Sequence, residues 1–511
     1  GAEGQLYPDG YPTRLGKPVQ FELEKLPDKF LFALRVGVGS PTQQQNMVLD
    51  SKSYMMSLYN RTTCRTAGIF KSSSSNHCNG DSVPLGSGGG ASGGPTEVSC
   101  KGGYYTTCFD GDESSTFYSP HAPSEYVCEY VRDKVLITAT KTVANFDTKI
   151  VDYTFCQAEY WEGNPMGGDG YLGIGYEEDR PRTNVVFDMF TSNVHMVVLD
   201  LNENVPSTIT IGGYLGDGTA VRWTEAQIVR TNLQHDFPAY HLGLCGSERD
   251  LVTPHGQGFW YSRIDTANEC LTLPEELAAS FVGYMPYDCR MEAPDAEDYG
   301  GHLYCQVPNK TDVLLRADGT HEVVRTPVLS FRGTDLWSAA DLTDDRWFRI
   351  SLGHLITHVR PSSRPGELEV RYCMRSHALR VHQEYYTRDD GYVLFGTRAL
   401  TPVQTVLDLD GRRVGFVQKS RYPAHYVLPC RPVPACAPLE QYDAVLNQCG
   451  PPDCDAYYFQ EVDKATMLCT YPIWLRITAA VALLLIILVE VLLTLTRRYV
   501  VRSAVRNNHF D

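Results

Sequence analysis

The sequence of 511 residues has no excess of basic charge: 45 Lys and Arg stand against 61 Asp and Glu, and the formal net charge is −16. Nucleic-acid binding relies on clustered Lys and Arg that displace counterions from phosphates. The composition therefore predicts no nucleic-acid partner. The acidic balance by itself identifies no other partner.

Several short motifs with a known chemical mechanism are also missing. The fourteen histidines contain no H-E-x-x-H zinc spacing, and no G-x-S-x-G serine lies between a strand pattern and a helix pattern. No glycine-rich phosphate motif occurs between a strand pattern and a helix pattern, so residues 80–94, which are rich in Gly and Ser, are interpreted as a surface loop. The sequence thus predicts neither a metal nor a cofactor.

The sixteen cysteines lack the paired C-x-x-C spacing of tetrahedral zinc sites, which favours disulfide bonds whose connectivity the sequence leaves open. Two N-x-[ST] sequons make Asn60 and Asn309 candidate glycosylation sites on surface loops. Both features are typical of chains that fold in an oxidising compartment. They predict the lumen of the secretory or endolysosomal system, or the cell surface.

A long apolar run, residues 477–496, lies near the C-terminus. About twenty such residues, at 1.5 Å each, span a hydrocarbon core of roughly 30 Å. The arginines that follow from Arg497 onward predict, by the positive-inside tendency, a cytosolic tail and type I topology. Glu490 lies inside the run, where a charge is costly. Either it contacts a partner subunit in the membrane, or it is protonated or reaches the nearby interface.

Between residue 30 and about residue 420 the chain consists of short β-rich runs separated by Gly, Pro and Asp turns. The first strand is expected to begin at Phe30. The clearest helix is predicted over residues 273–281, where Pro274 and two glutamates form the first turn. Five cysteines from Cys430 to Cys469 crowd the segment before the apolar run and predict a disulfide-stapled stalk.

A weak internal repeat runs through the β-rich region. An apolar run meets an aspartate followed by a hydroxyl residue at Asp50-Ser51, and the pattern returns at Asp265-Thr266. At a similar spacing, each is followed by two bulky residues and a glycine, which end at Gly173 and Gly396. The repeat predicts two homologous lobes, each of which supplies one aspartate.

At these residues the sequence resembles the pepsin-like aspartic protease family, over roughly residues 30–420. The resemblance rests on the order of the motifs rather than on any one of them. The segments that resemble the family are V-G-S-P-T-Q (38–43), E-S-S-T-F (113–117), D-G-Y-L-G-I-G (169–175), I-T-I-G-G (209–213), L-P-E-E-L (273–277), L-F-G (394–396) and R-V-G-F (413–416).

The resemblance implies a mainly β, bilobal pepsin-like aspartic protease fold followed by a single transmembrane helix. The corresponding segments are an N-terminal extension (1–29), an N-terminal lobe (30–215), a C-terminal lobe (216–428), a Cys-rich stalk (429–472), a transmembrane helix (473–497) and a basic cytosolic tail (498–511). Asp50 and Asp265 would then form a carboxylate pair that shares one proton, with Ser51 and Thr266 as supporting hydroxyls. Tyr130 would be the tyrosine of the flap that covers the substrate.

Several positions depart from the family pattern. The glycine expected after each Asp-hydroxyl pair is replaced by Lys52 and by Ala267, which are therefore candidate inactivating residues. If the Lys52 ammonium reached the carboxylates, it would favour their ionised forms and remove the shared proton; alternatively it points to solvent. Arg263 lies in a strand that should be apolar. Residues 131–134 lack the glycines of a flexible flap.

The departures favour a catalytically inactive ectodomain that binds or braces a membrane assembly. One alternative is an active, membrane-anchored aspartic endopeptidase that cleaves lumenal or extracellular polypeptides. Another is a receptor that holds a polypeptide or glycan ligand in the cleft between the lobes. The predicted partners are the membrane, other membrane subunits and such a ligand.

Overall fold

The chain is mainly β and ends in a long apolar helix. It divides into a larger unit, Gly1–Arg431, and a smaller unit, Pro432–Asp511. The computed structural model describes residues 18–27, 29–53, 56–59, 128–137, 151–158, 168–175, 194–226, 235–245, 251, 258–292, 302–335, 347–376, 391–419, 422, 425–437, 440–451, 454, 459–463 and 468–507.

The first half of the larger unit supplies ten strands among the described residues. They are β1 Val19–Lys25, β2 Phe32–Val38, β3 Gln43–Asp50, β4 Met56–Tyr59, β5 Cys128–Ile137, β6 Val151–Ala158, β7 Gly170–Gly173, β8 Met196–Asp200, β9 Ser207–Ile211 and β10 Arg222–Trp223.

The second half of the larger unit is also built from strands. They are β11 Asp236–Leu244, β12 Phe259–Asp265, β13 Leu271–Leu273, β14 Asp288–Met291, β15 His302–Pro308, β16 Val313–Leu315, β17 His321–Val323, β18 Val328–Arg332, β19 Phe348–Ser351, β20 Ile356–Pro361, β21 Glu367–Ser376, β22 Val393–Gly396, β23 Val403–Asp408 and β24 Arg413–Gln418. The described residues also include the helix α1 Glu275–Tyr284, the single helical turn α2 Thr397–Leu400, and the 3-10 turns Gly218–Ala220 and Leu352–Leu355.

The same strand arrangement occurs twice in the larger unit. The order β2-β3-β7-β4-β6-β5 in one sheet corresponds to β11-β12-β22-β13-β21-β15 in the other. In both sheets the third strand of the order lies parallel to the second and antiparallel to the fourth. The pairing puts Asp50 opposite Gly173 and Asp265 opposite Gly396, so the repeat predicted from sequence corresponds to a repeat of topology.

One sheet joins the two halves of the chain. Strands β8, β9 and β1 continue into β23, β24 and β10, which come from beyond residue 215. The boundary expected between residues 215 and 216 therefore does not separate the sheets. Strand β1 also corrects the expected start of the fold, because the first strand begins at Val19, inside the predicted N-terminal extension, and pairs with β9.

The core of the larger unit is apolar on both sides of its central strands. In β2, six of the seven residues are buried, as expected for a strand that is covered on both faces. The helix predicted over residues 273–281 is found as α1, which starts and ends slightly later. Its acidic first turn, Glu275 and Glu276, lies where the helix dipole favours negative charge.

Five disulfides lie among the described residues, and they fit a domain that folds under oxidising conditions. Cys430, assigned to the stalk from sequence, is bonded to Cys245 and therefore belongs to the larger unit. The five pairs are Cys245–Cys430, Cys270–Cys373, Cys289–Cys305, Cys436–Cys449 and Cys454–Cys469.

The smaller unit contains two short hairpins followed by a helix. The first hairpin is β25 Gln441–Asp443 with β26 Gln448–Gly450, and the second is β27 Glu461–Asp463 with β28 Leu468–Thr470. In each case one disulfide joins the second strand of the hairpin to the segment before its first strand. Helix α3, Ile473–Asn507, follows, and its stretch Ile473–Arg502 is long and apolar enough to cross a membrane. Helix and disulfides together fit a single-pass membrane protein.

Candidate functional site

The two predicted aspartates occupy equivalent places in the two repeats. Asp50 is the last residue of β3 and Asp265 is the last residue of β12. The residues directly before each aspartate, such as Leu49 and Ile264, are apolar and buried. Each also runs parallel to the strand that ends in the repeat's glycine. The carboxylates therefore lie at the carboxyl ends of two central strands.

Two buried hydroxyl groups join these strand ends across the repeats. Ser51 Oγ donates to the Ile264 carbonyl at 2.7 Å, and Thr266 Oγ1 donates to the Leu49 carbonyl at 2.8 Å. In return, Thr266 Oγ1 accepts from Ser51 N at 2.9 Å and Ser51 Oγ accepts from Thr266 N at 3.1 Å. The four bonds form a reciprocal brace. The structure thus brings together the four residues that the sequence had selected as a set.

Burial is the main influence on Asp50. It raises the pKa of this carboxyl above its ordinary value, the nearby charge of Asp265 raises it further, and the Lys52 ammonium acts in the opposite direction. The Lys52 backbone N–H also donates to Asp50 Oδ1 at 2.9 Å and favours the ionised form. The two carboxyls are therefore electrostatically coupled, with one cation beside them.

That cation contacts the second carboxylate directly. Lys52 Nζ lies 2.9 Å from Asp265 Oδ2, and the lysine side chain is 29% exposed whereas that of Asp265 is 2% exposed. Of the two orientations that the sequence left open, the structure shows the one in which the ammonium reaches the pair. A cation at this distance favours the ionised carboxylate, so it opposes the shared proton that acid catalysis by two aspartates needs.

Ala267, the other candidate inactivating residue, adds only a methyl group and no charge near the carboxylates. It is buried in a small apolar cluster whose other members come from the first repeat, Leu26, Leu31, Ala33, Val48 and Tyr171. The neighbouring Asn268 accepts from the Cys270 backbone N–H at 3.1 Å and donates to Thr272 Oγ1 at 3.3 Å. This loop is therefore held by packing and local hydrogen bonds, and Lys52 is the larger chemical change.

Arg263 is accommodated in its buried strand by an acidic partner. Its Nε and Nη2 donate to Asp236 Oδ1 at 2.5 Å and Oδ2 at 3.0 Å, and both side chains are 4% exposed. The two residues face each other across β11 and β12, and the guanidinium lies 4.3 Å from the Tyr392 ring centroid. Arg263, which the sequence placed in a strand that should be apolar, is therefore compensated by its ion pair with Asp236.

His235, which the sequence analysis did not select, lies at the junction of the repeats. Its Nε2 is 3.2 Å from the carbonyl oxygen of Ile174, which follows the first repeat's glycine. The residue is 3% exposed, and burial lowers its pKa to about 4. Among fourteen histidines, no local pattern distinguishes it; the only signal is its place directly before the apolar strand β11.

The predicted flap segment lies in an uninterrupted strand. Tyr130 pairs with Cys156 in the β5–β6 ladder, and residues 131–134 continue β5 to Ile137 without a turn. A flexible hairpin tip is therefore not formed at residues 131–134. The role of Tyr130 as a flap tyrosine stays a prediction.

The remaining candidate residues are separate from the carboxylates. Asn60 lies outside the described residues. Asn309 lies in the turn after β15, where its backbone N–H donates to the Gly366 carbonyl at 3.0 Å. Glu490 lies within α3 with an exposed side chain, and its carbonyl accepts from Thr494 Oγ1 at 2.8 Å. Glycosylation at both asparagines and a partner contact at Glu490 stay predictions.

Comparison with known proteins gives no further guide to the chemistry. No protein-family model and no curated protein matches the chain. Any function has to follow from the geometry around Asp50, Asp265 and Lys52.

Proposed function

We propose that the chain is a single-pass membrane protein whose ectodomain has a pepsin-like fold with a silenced pair of aspartates, and that it serves as a binding or structural subunit of a membrane assembly. The proposed loss of activity rests on one observation, the 2.9 Å contact between Lys52 Nζ and Asp265 Oδ2. The repeated strand order and the reciprocal brace of Ser51 and Thr266 support the fold assignment.

Catalysis by two aspartates depends on one proton that the two carboxylates share. Two close carboxylates hydrolyse a peptide when one, ionised, takes a proton from water while the other, protonated, donates one. An ammonium beside them supplies the positive charge that the shared proton would otherwise supply. The ammonium therefore favours the ionised carboxylates, against the burial that raises the pKa of Asp50, and weakens the hold of the pair on the proton that the leaving group needs. The strand at residues 131–134 adds to this argument, because a lid that excludes water needs a segment that can move.

The direct test is a cleavage assay of the purified ectodomain with a diverse peptide library from about pH 3.5 to 7. We expect no cleavage by the unmodified protein. Cleavage that disappears in both Asp50→Ala and Asp265→Ala would overturn the proposal. It would establish the rival function, an active aspartic endopeptidase, which is favoured by the intact carboxylates and brace. A peptide that binds without being cleaved would instead favour a receptor.

Removing the Lys52 charge tests the electrostatic argument itself. In Lys52→Met we expect the pKa of Asp50 to rise further, because the ammonium now lowers it and methionine keeps much of the side-chain volume. The measurement is an NMR titration of carboxyl carbons in aspartate-labelled protein. Lys134→Met, a half-buried lysine of β5, is the matched control and should leave the Asp50 titration in place. An unchanged Asp50 titration in Lys52→Met would contradict the proposed role.

The assembly has its own test at Glu490. If Glu490 pairs with a polar or cationic group of another membrane subunit, Glu490→Leu should release the chain from a larger complex after mild detergent extraction. Thr494→Val, one turn along the same face, is the control, because Thr494 Oγ1 already donates to the Glu490 carbonyl. A monomer before and after Glu490→Leu, with unchanged abundance and location, would remove the partner from the proposal.

A further inference from the structure

Phe459 in the stalk is an exposed aromatic residue with an unfavourable backbone conformation. Its side chain is 68% exposed, and its φ is 63°. A bulky residue is a rare occupant of this left-handed region, which glycine adopts without strain. Strain of this kind persists where the surrounding structure imposes it, and it is a reason to look for a function. The stalk thus presents an exposed phenyl ring to its surroundings.

The second stalk hairpin places this ring beside the start of the membrane-spanning helix. Strand β27 pairs with β28 in a register that sets Glu461 opposite Thr470. Phe459 precedes this pair by two residues, and Pro472, which follows it by two residues, directly precedes α3. The disulfide Cys454–Cys469 joins β28 to the segment that precedes β27.

Two more exposed aromatics lie at this end of the helix, Tyr471 at 49% and Trp474 at 55%. At 1.5 Å per residue, Trp474 lies about 4.5 Å, and the level of Pro472 about 7.5 Å, outside the start of the apolar run at Ile477. The headgroup layer on each side of a 30 Å hydrocarbon core is roughly 5 to 7 Å deep. Trp474 therefore falls within the headgroup layer, where Trp and Tyr are enriched in membrane proteins, and Tyr471 and the level of Pro472 lie at its outer edge.

We propose that the second stalk hairpin, strands β27 and β28, rests on the phospholipid surface, with Phe459 inserted at the headgroup layer near Tyr471 and Trp474. The proposal requires α3 to cross a bilayer and is independent of the state of the aspartates. A lipid surface is favoured over a protein partner because the hairpin that carries Phe459 leads into the membrane-spanning helix within three residues of β28. The aromatic ring can then be buried among acyl-chain and headgroup carbons while the acidic edge of β27 stays in water.

The test is photocrosslinking of the full-length protein in phosphatidylcholine vesicles that contain tritiated phosphatidylcholine. A benzophenone amino acid replaces Phe459 in one variant, Leu484 of the apolar run in a second, and Val433 in a third. Leu484, 65% exposed, reports lipid contact within the span, and Val433, 42% exposed, is the apolar control ahead of the first hairpin. Peptide mapping verifies the Cys454–Cys469 disulfide in every variant.

We expect lipid adducts at 459 several-fold above those at 433 and close to those at 484. Adducts at 459 no more frequent than at 433, or crosslinks from 459 to another protein chain in place of lipid, would overturn the proposal. Absence of lipid adducts at 484 would show that α3 does not cross the bilayer, and the proposal requires that it does. None of these outcomes depends on peptide cleavage, so the proposal and the proposed function fail separately.

Discussion

Replacing Asp236 by alanine is expected to destabilise the larger unit by about 3 to 5 kcal/mol, because it leaves the Arg263 guanidinium charged, buried and without its bidentate partner. Desolvating an ion costs more than most single hydrogen bonds return, and the paired carboxylate supplies the opposite charge that offsets that cost. The measurement is the urea midpoint of the unreduced, detergent-solubilised protein, followed by tryptophan fluorescence. Trp260, buried in the same strand as Arg263, reports this region.

Two variants separate this effect from general damage. Glu322→Ala breaks the exposed Arg316–Glu322 pair of the β16–β17 hairpin and should cost less than about 1 kcal/mol, because water screens exposed charges. The double variant Asp236→Leu with Arg263→Met removes both charges and should be more stable than Asp236→Ala alone. If Asp236→Ala and Glu322→Ala shift the midpoint equally, the buried pair is not the stabilising feature described above.

Acid is expected to weaken the junction of the two repeats through His235. The pKa of this buried imidazole is lowered to about 4 in the folded chain, whereas an unfolded histidine titrates near 6.5. Between these values the unfolded chain binds a proton that the folded chain does not, so stability is lost as pH falls from about 6.5 to about 4. At 1.36 kcal/mol per pKa unit, the loss amounts to about 3 kcal/mol.

The variant His235→Gln keeps an N–H group able to donate to the Ile174 carbonyl but does not titrate. It should flatten the stability profile in this window relative to the unmodified protein, and the difference isolates His235 from Asp50, whose raised pKa acts in the opposite direction. His358→Gln, at an exposed histidine of β20, should leave the profile unchanged. Equal slopes in the unmodified protein and in His235→Gln would refute the prediction.

This acid sensitivity bears on the rival function. A pair of aspartates that shares a proton works best in acid, where the carboxyls are not both ionised. The junction that holds Asp50 and Asp265 together would lose stability in the same range. The protein would thus lose stability in the acidic range in which a pair of aspartates could hydrolyse peptides. This favours a binding or structural role near neutral pH.

The local elements follow from local patterns in the sequence. The β-rich runs, the helix after Pro274, the apolar run at the C-terminus and the stapled stalk are each encoded within a few residues. Periodicity, turn residues and apolar length act at that range. The recurrence of Asp50-Ser51 as Asp265-Thr266 also predicted that these four residues form a set, and the reciprocal brace brings them together.

The contacts that decide the chemistry are not local. Cys245 bonds to Cys430 at a separation of 185 residues, and Arg263 meets Asp236 only because β11 and β12 pair in one register. Lys52 has a long, flexible side chain whose direction no pattern predicts. Only the closing of the two repeats puts Asp265 within 2.9 Å of its ammonium. The sequence determined which groups are available, and tertiary structure decided which charges meet, because Coulomb and desolvation energies depend on distance and burial that folding alone creates.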